Sequence, residues 1–244
     1  MSQMVSNAPT TSRPRLNKYG YNCVAKHVSL AAFISAPLFI FAGSLSWDWA
    51  WIYSSITMIG WVALSLVLMR ANPELLNQRG RRAKDMPGTK RWDWIIMSVY
   101  SVLMIATPVI AGLDQRYAWS VPTSDIFKLI GALVLGFSFI PLTWSMAVNR
   151  FFEPTVRIQT SREHRVYTDG PYRFVRHPGY VGVILQFIAI PLILGTLVAW
   201  IPALLGAVLF VLRTWMEDNT LRAELPGYAD FTGQTRYRLV PGLW

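Results

Sequence analysis

The chain has 244 residues, 53% hydrophobic and 15% charged, against roughly 25% charged in an ordinary soluble domain, which excludes both a disordered chain and an ordinary soluble one. Mean hydropathy is +0.33, and the apolar residues fall in blocks long enough to cross a bilayer. A net charge of +10 and a single cysteine, Cys23, leave no disulfide framework, CxxC pair or thiolate zinc site, and His27, His164 and His177 lack metal-ligand spacing, so no metal is expected.

The first 26 residues form a polar tail, too long for the basic start of a secretory signal. Apolar spans follow at 28–45, 49–69, 94–113, 126–148, 180–194 and 197–215. The last two form one 35-residue apolar stretch broken near Pro191, Gly195 and Pro202, too long for one crossing, which reads as a tight helical hairpin. Five crossings with one long tilted final helix are the alternative. The predicted fold is all-α: a polytopic integral membrane helical bundle of about six transmembrane helices ending in that hairpin.

The basic residues lie between the spans. Arg13, Arg15, Lys18 and Lys26 precede the first. Arg70, Arg79, Arg81, Arg82, Lys84, Lys90 and Arg91 follow the second, and Arg150, Arg157, Arg162, Arg165, Arg173 and Arg176 follow the fourth. Arg213, Arg222, Arg236 and Arg238 close the chain, while the alternate loops hold only Arg116 and one span contains Lys128. That segregation predicts a multi-pass protein with both termini in the cytosol, and it accounts for the basic excess without a nucleic acid partner. Trp47, Trp49 and Trp51 on one side and Trp92 and Trp94 on the other are expected as interfacial belts.

Residues 1–26 thus read as a cytosolic tail and 27–148 as helices with no ionisable constellation. The polar motifs crowd into 149–244. In NRFFEPTVRIQTSREHRVYTDGPYRFVRHPGYVG (149–182), Pro178 forces His177 out of the helical region and suits a first helical position, so a helix should begin there. The N–H groups of Gly179, Tyr180 and Val181 would then face the cytosol as a site for a carboxylate or phosphate, unless the segment is only a helix start with basic anchors. Arg213 and Glu217 share a face four residues apart. They could form an ordinary ion pair beneath a snorkelling arginine, or a site in which the acid holds a cation and Arg213 an anion. The tail PGYADFTGQTRYRLVPGLW (226–244) specifies nothing alone, and Tyr228, Phe231 and Trp244 are expected to pin it to the membrane surface.

Taken in order, the motifs resemble the isoprenylcysteine carboxyl methyltransferase family and related phospholipid methyltransferases. The matching residues are H-x-V (His164 to Val166), G-x-Y (Gly170 to Tyr172), R-H-P-x-Y-x-G (Arg176 to Gly182), R-x3-E-[ED] (Arg213 to Asp218), Leu221 and R-x-x-P (Arg238 to Pro241). The resemblance implies an integral membrane enzyme using S-adenosylmethionine, with 149–244 as the methyltransferase region and the cofactor enclosed on the cytosolic side by the loop before the hairpin and the C-terminal segment. It implies cofactor contacts for Gln159, His164, Arg165, Val166, Tyr167, Tyr172, His177, Pro178, Gly179, Tyr180 and Glu217, and a catalytic substrate contact for Arg213. Three departures concern Gln159, spaced differently from His164, Asp218, where a second Glu is usual, and Pro226-Gly227, which replaces Phe-Gly.

The cofactor's carboxylate, amine and sulfonium suit helix-start N–H groups, Glu217 and aromatic faces such as Tyr172 or Tyr180. Methyl transfer needs alignment and dryness rather than a protein nucleophile, and a carboxylate acceptor, with a pKa of about 4, needs no general base. The implied partners are a hydrophobic or lipid-linked acceptor and the membrane lipids. Transfer to lipid amines or small thiols, an NADPH-dependent sterol or lipid reductase carrying a similar R-H-P-x-Y-x-G, and a non-catalytic lipid-binding scaffold are the competing readings.

Overall fold

The structure, a computed structural model, describes residues 15–81 and 87–244. Arg13, Arg82 and Lys84, counted above, and residues 1–14 of the tail lie outside the described residues. Among the described residues the regular structure is entirely helical: α1 (Lys18–Ala42), α2 (Asp48–Ala71), α3 (Pro73–Arg79), α4 (Arg91–Tyr117), α5 (Asp125–Val148), α6 (Pro178–Leu194), α7 (Trp200–Glu224) and α8 (Tyr228–Gln234). Helices α1, α2, α4, α5 and α7 are long and apolar enough to cross a membrane, and α6 is a shorter apolar helix of 17 residues. The protein is a polytopic membrane helical bundle, with α6 and α7 joined by the expected tight turn.

Local chemistry sets the ends. Asn17 caps α1 by accepting from the N–H groups of Tyr19 and Gly20. Asn72 links two elements, its Oδ1 accepting from Leu75 at 3.2 Å to start α3 and its Nδ2 donating to the Met146 carbonyl at 2.8 Å. At the hairpin, Gly195 has φ +71° and donates back to the carbonyls of Pro191 and Leu192, a left-handed stop that glycine adopts without steric cost.

The two ends of the bundle differ in charge. Links from Asn77 to Arg15, Arg79 to Phe152 and Lys90 to Glu224 gather the N-terminus of α1, helix α3 and the C-terminus of α7 into one basic end. At the other, Thr123 N–H meets the Gly195 carbonyl at 3.2 Å, Leu197 N–H meets Ser120 Oγ at 3.1 Å, and Arg116 lies beside Gly43. Lys128, assigned to a span, pairs there with Asp125 at 3.0 Å. Of the tryptophan belts, Trp51 and Trp94 are exposed, Trp49 and Trp92 half-buried, and Trp47 is buried in the core at the start of α2.

Helix α6 is the bundle's centre. A Cβ on Gly131 of α5 would sit 2.3 Å from Ile193 N, and one on Gly182 of α6 would sit 2.6 Å from the Ser138 carbonyl. Bare backbone therefore lets α5 and α6 approach closely, a contact suited to a medium in which apolar burial alone does not drive helices together. At 1.5 Å per residue α6 is about 12 Å shorter than α7. Their shared turn lies at the far end, so α6 stops short of the basic end and leaves a recess above His177.

Candidate active site

The loop from 149 to 177 fills that recess and is tied down at several points. The Asn149 side chain accepts from Phe151 N–H at 2.8 Å and donates to Tyr172 Oη at 3.0 Å. Buried Glu153 holds Arg157 at 2.7 Å and Arg162 at 3.1 Å, and Arg162 also reaches Glu74 of α3 at 2.6 Å. Fully buried Asp93, in the first turn of α4, accepts from Val156 N–H at 2.7 Å and from Arg213 Nε at 2.8 Å, while Arg213 Nη2 donates to the Pro154 carbonyl at 2.8 Å. Asp93 thus fixes both the loop and Arg213. The helices of 27–148, read as carrying no ionisable constellation of their own, thus contribute single acids, Asp93 and Glu74, to the C-terminal half.

The C-terminal tail closes the recess from the other side. Arg176 and His177 donate their N–H groups to the Tyr237 and Arg238 carbonyls, each at 2.9 Å. Asp218, fully buried, is the hub: it accepts a fork from Arg176 (Nε 2.7 Å, Nη2 2.9 Å), Arg238 Nε at 3.0 Å and the Tyr228 hydroxyl at 3.0 Å, and it lies 3.4 Å from His177 Nε2. Tyr228 and Phe231 form a buried aromatic cluster with Tyr172 and Leu225. They are therefore core residues of the site, not membrane-surface pins. Burial and the Asp218 charge push the Tyr228 phenol far above its ordinary value, so it stays a hydrogen-bond donor.

Between loop, tail and the ends of α6 and α7 lies a narrow cleft of about 80 Å³. His164, Arg165, Val166, Tyr167, Tyr172, His177, Tyr180 and Glu217 line it, as do Glu153, Arg157, Phe151 and Tyr228. Glu217 accepts a hydrogen bond from the Tyr180 hydroxyl, so the acid of α7 and the first turn of α6 meet in one cavity. The His177 and Tyr180 rings stack 5.5 Å apart.

Four sequence-predicted residues stand outside the lining. Gln159 is buried behind it, its Nε2 bracing the Phe151 carbonyl at 3.1 Å and its Oε1 held by Arg162. Pro178 and Gly179 are buried, with the Phe152 ring over Gly179. Arg213 sits behind Tyr180, its guanidinium 5.0 Å from that ring's centroid. Two local expectations are corrected. Tyr180 and Val181 donate to the His177 carbonyl at 3.0 and 3.4 Å, so the start of α6 does not offer three N–H groups to the cytosol. Arg213 and Glu217 make no ion pair, because nearer opposing groups, Asp93 and Tyr180, take them.

His164 packs on Phe151 with ring centroids 4.5 Å apart and accepts from Gln159 N–H at 3.4 Å. Burial, then the charges of Arg162 and Arg157, lower its pKa to about 4. The unfolded state takes up this proton near pH 6.5 and the folded state only near 4, so the stability contributed by neutral His164 is complete above about 6.5 and is lost as pH falls toward 4. Thermal unfolding in detergent should show that decline, and His164→Phe should flatten it. An unchanged profile in His164→Phe would place the titration elsewhere.

The membrane helical bundle thus carries an aromatic, acid-bearing cleft at the end of its terminal hairpin. Residues 130–223 match the model of the isoprenylcysteine carboxyl methyltransferase (ICMT) family. This segment, from α5 to the last turn of α7, belongs to that family, and the chain is in general terms a membrane methyltransferase. Comparison with curated proteins gives no match.

Proposed function

We propose that the cleft binds S-adenosylmethionine and that the protein methylates the carboxylate of a prenylcysteine-like or other hydrophobic acceptor arriving from the membrane. The observation that carries the reading is the meeting of Glu217 with Tyr180 and His177 inside one aromatic cavity. The residues fit the cofactor: an acid for its amine and sulfonium, Arg157 and Arg165 for its carboxylate, and Phe151, Tyr167 and Tyr228 as flat apolar surfaces for its base. The cofactor supplies an electrophilic methyl group. The chain's own work is to hold the ligand, exclude water through the loop and tail, and align an acceptor that is already ionised. Arg213, buried behind Tyr180 and outside the lining, is the proposed acceptor contact. The positive-inside rule supports a cytosolic basic end.

S-adenosylhomocysteine should stabilise the detergent-solubilised protein, by about 2.7 kcal/mol at a hundredfold excess over Kd, and NADPH should not. Glu217→Ala is expected to remove the response. Stabilisation by NADPH alone would favour the reductase reading. Methyl-labelled cofactor added to membranes then reports whether label enters protein, lipid or volatile products.

A further inference from the structure

A second concavity lies on the membrane-facing side of the bundle and has no part in the cleft. Helices α2 and α5 both run toward the basic end, and between them is an apolar groove of about 600 Å³. Ile59, Ala63 and Val67 line it from α2 and Gly136, Ile140 and Thr143 from α5, each set a stripe at helical spacing. A Cβ on Gly136 would meet nothing within 4 Å, so the groove is open space. From Ile56 to Val67 it runs for about 17 Å, close to the depth of one leaflet of a roughly 30 Å hydrocarbon core.

At its basic end, beside Ala147, the groove meets a wider hollow lined by Arg15, Arg70, Arg150 and Tyr21. Among the described residues none of these three arginines has a carboxylate partner, and Arg150 Nε is buried without an acceptor. The acid at the rim, Glu74, is engaged by Arg162 at 2.6 Å. Arg70 in the last turn of α2 also answers that helix's dipole, which accounts for one cation of three. An apolar channel one leaflet deep, ending in unpaired guanidinium groups at the bilayer surface, is complementary to a chain with an anionic head.

We propose that this groove is a binding site for an anionic glycerophospholipid, with an acyl chain between α2 and α5 and the phosphate at Arg15, Arg70 and Arg150. The site abuts the cleft: Arg150 lies 4.9 Å from the Phe151 ring centroid and Tyr167 lines both hollows. The proposal stands apart from the methyltransferase reading, and its test reads lipid rather than turnover.

The purified protein, delipidated in detergent, is offered equal phosphatidylglycerol and phosphatidylcholine, and retained lipid is counted by native mass spectrometry. The expected result is retention of phosphatidylglycerol by about tenfold over phosphatidylcholine. The Arg15→Gln/Arg70→Gln double variant should bring the ratio near one at unchanged melting temperature, and Gly136→Leu, which fills the groove from the open side, should reduce retention of both lipids. Equal retention by the wild type, or a preference that survives the double variant, overturns the proposal. Displacement of the bound lipid by S-farnesylcysteine also overturns it, since the groove would then belong to the acceptor.

Discussion

Asp218→Asn is expected to loosen the C-terminal tail and abolish stabilisation by S-adenosylhomocysteine while leaving the bundle folded. Asn keeps the shape of Asp but turns one acceptor into a donor facing Arg176 and Arg238, and it removes the one carboxylate that, among the described residues, pairs with these two largely buried cations. Breaking such a pair from one side costs about 3–5 kcal/mol, because the partner is left buried and uncompensated. The loss should fall on the tail, whose hold on the bundle runs through this cluster and the backbone bonds at Arg176 and His177, whereas α5 and α6 are held by close packing that Asp218 does not touch. Hydrogen exchange across 226–244 should quicken, and helical circular dichroism should be retained. Asp218→Glu, which keeps the charge, should lose less. Wild-type tail protection in Asp218→Asn would show that the hub does not secure the tail.

The elements legible in the sequence were those set by local or bulk forces. Hydropathy located the spans, Gly195 with Pro191 marked the hairpin, and the steric demand of Pro178 placed the start of α6 at the residue observed. The pairings that shape the site were not legible in that way. Helical spacing put Arg213 and Glu217 on one face, but spacing says which side chains point alike, not what opposes them. Arg213 found Asp93, 120 residues away, and Glu217 found Tyr180, 37 residues away. Asp93 is one acid among basic and aromatic neighbours at a span boundary and carries no local signal. Asp218 had one in retrospect: an acid next to Glu217 must face a different side of α7, and Arg176 and Arg238 were available cations in two nearby motifs. The resemblance pointed to residues of which eight line the cleft, yet Phe152 over Gly179 and the burial of Gln159 depend on how the loop folds back.

The second large effect concerns the Asp93–Arg213 pair, where structural and chemical roles can be separated. Asp93→Leu leaves the Arg213 guanidinium buried without its salt-bridge partner, and Arg213→Met does the same to the carboxylate, so each single change should cost about 3–5 kcal/mol. Replacing both by apolar groups removes the stranded charge, and such replacements are often neutral. The double variant should therefore be more stable than either single one. Recovery should be incomplete, because Val156 N–H and the Pro154 carbonyl lose their partners. Asp93→Asn, whose amide oxygen still accepts from Val156, should be the mildest of the set. If Arg213 also contacts the acceptor, the double variant will respond to S-adenosylhomocysteine yet transfer methyl groups at under about 1% of the wild-type rate, a loss of roughly 2.7 kcal/mol in the transition state. Near-wild-type turnover by a stable double variant would reduce the pair to a clamp on the loop and assign acceptor alignment to other groups around Tyr180.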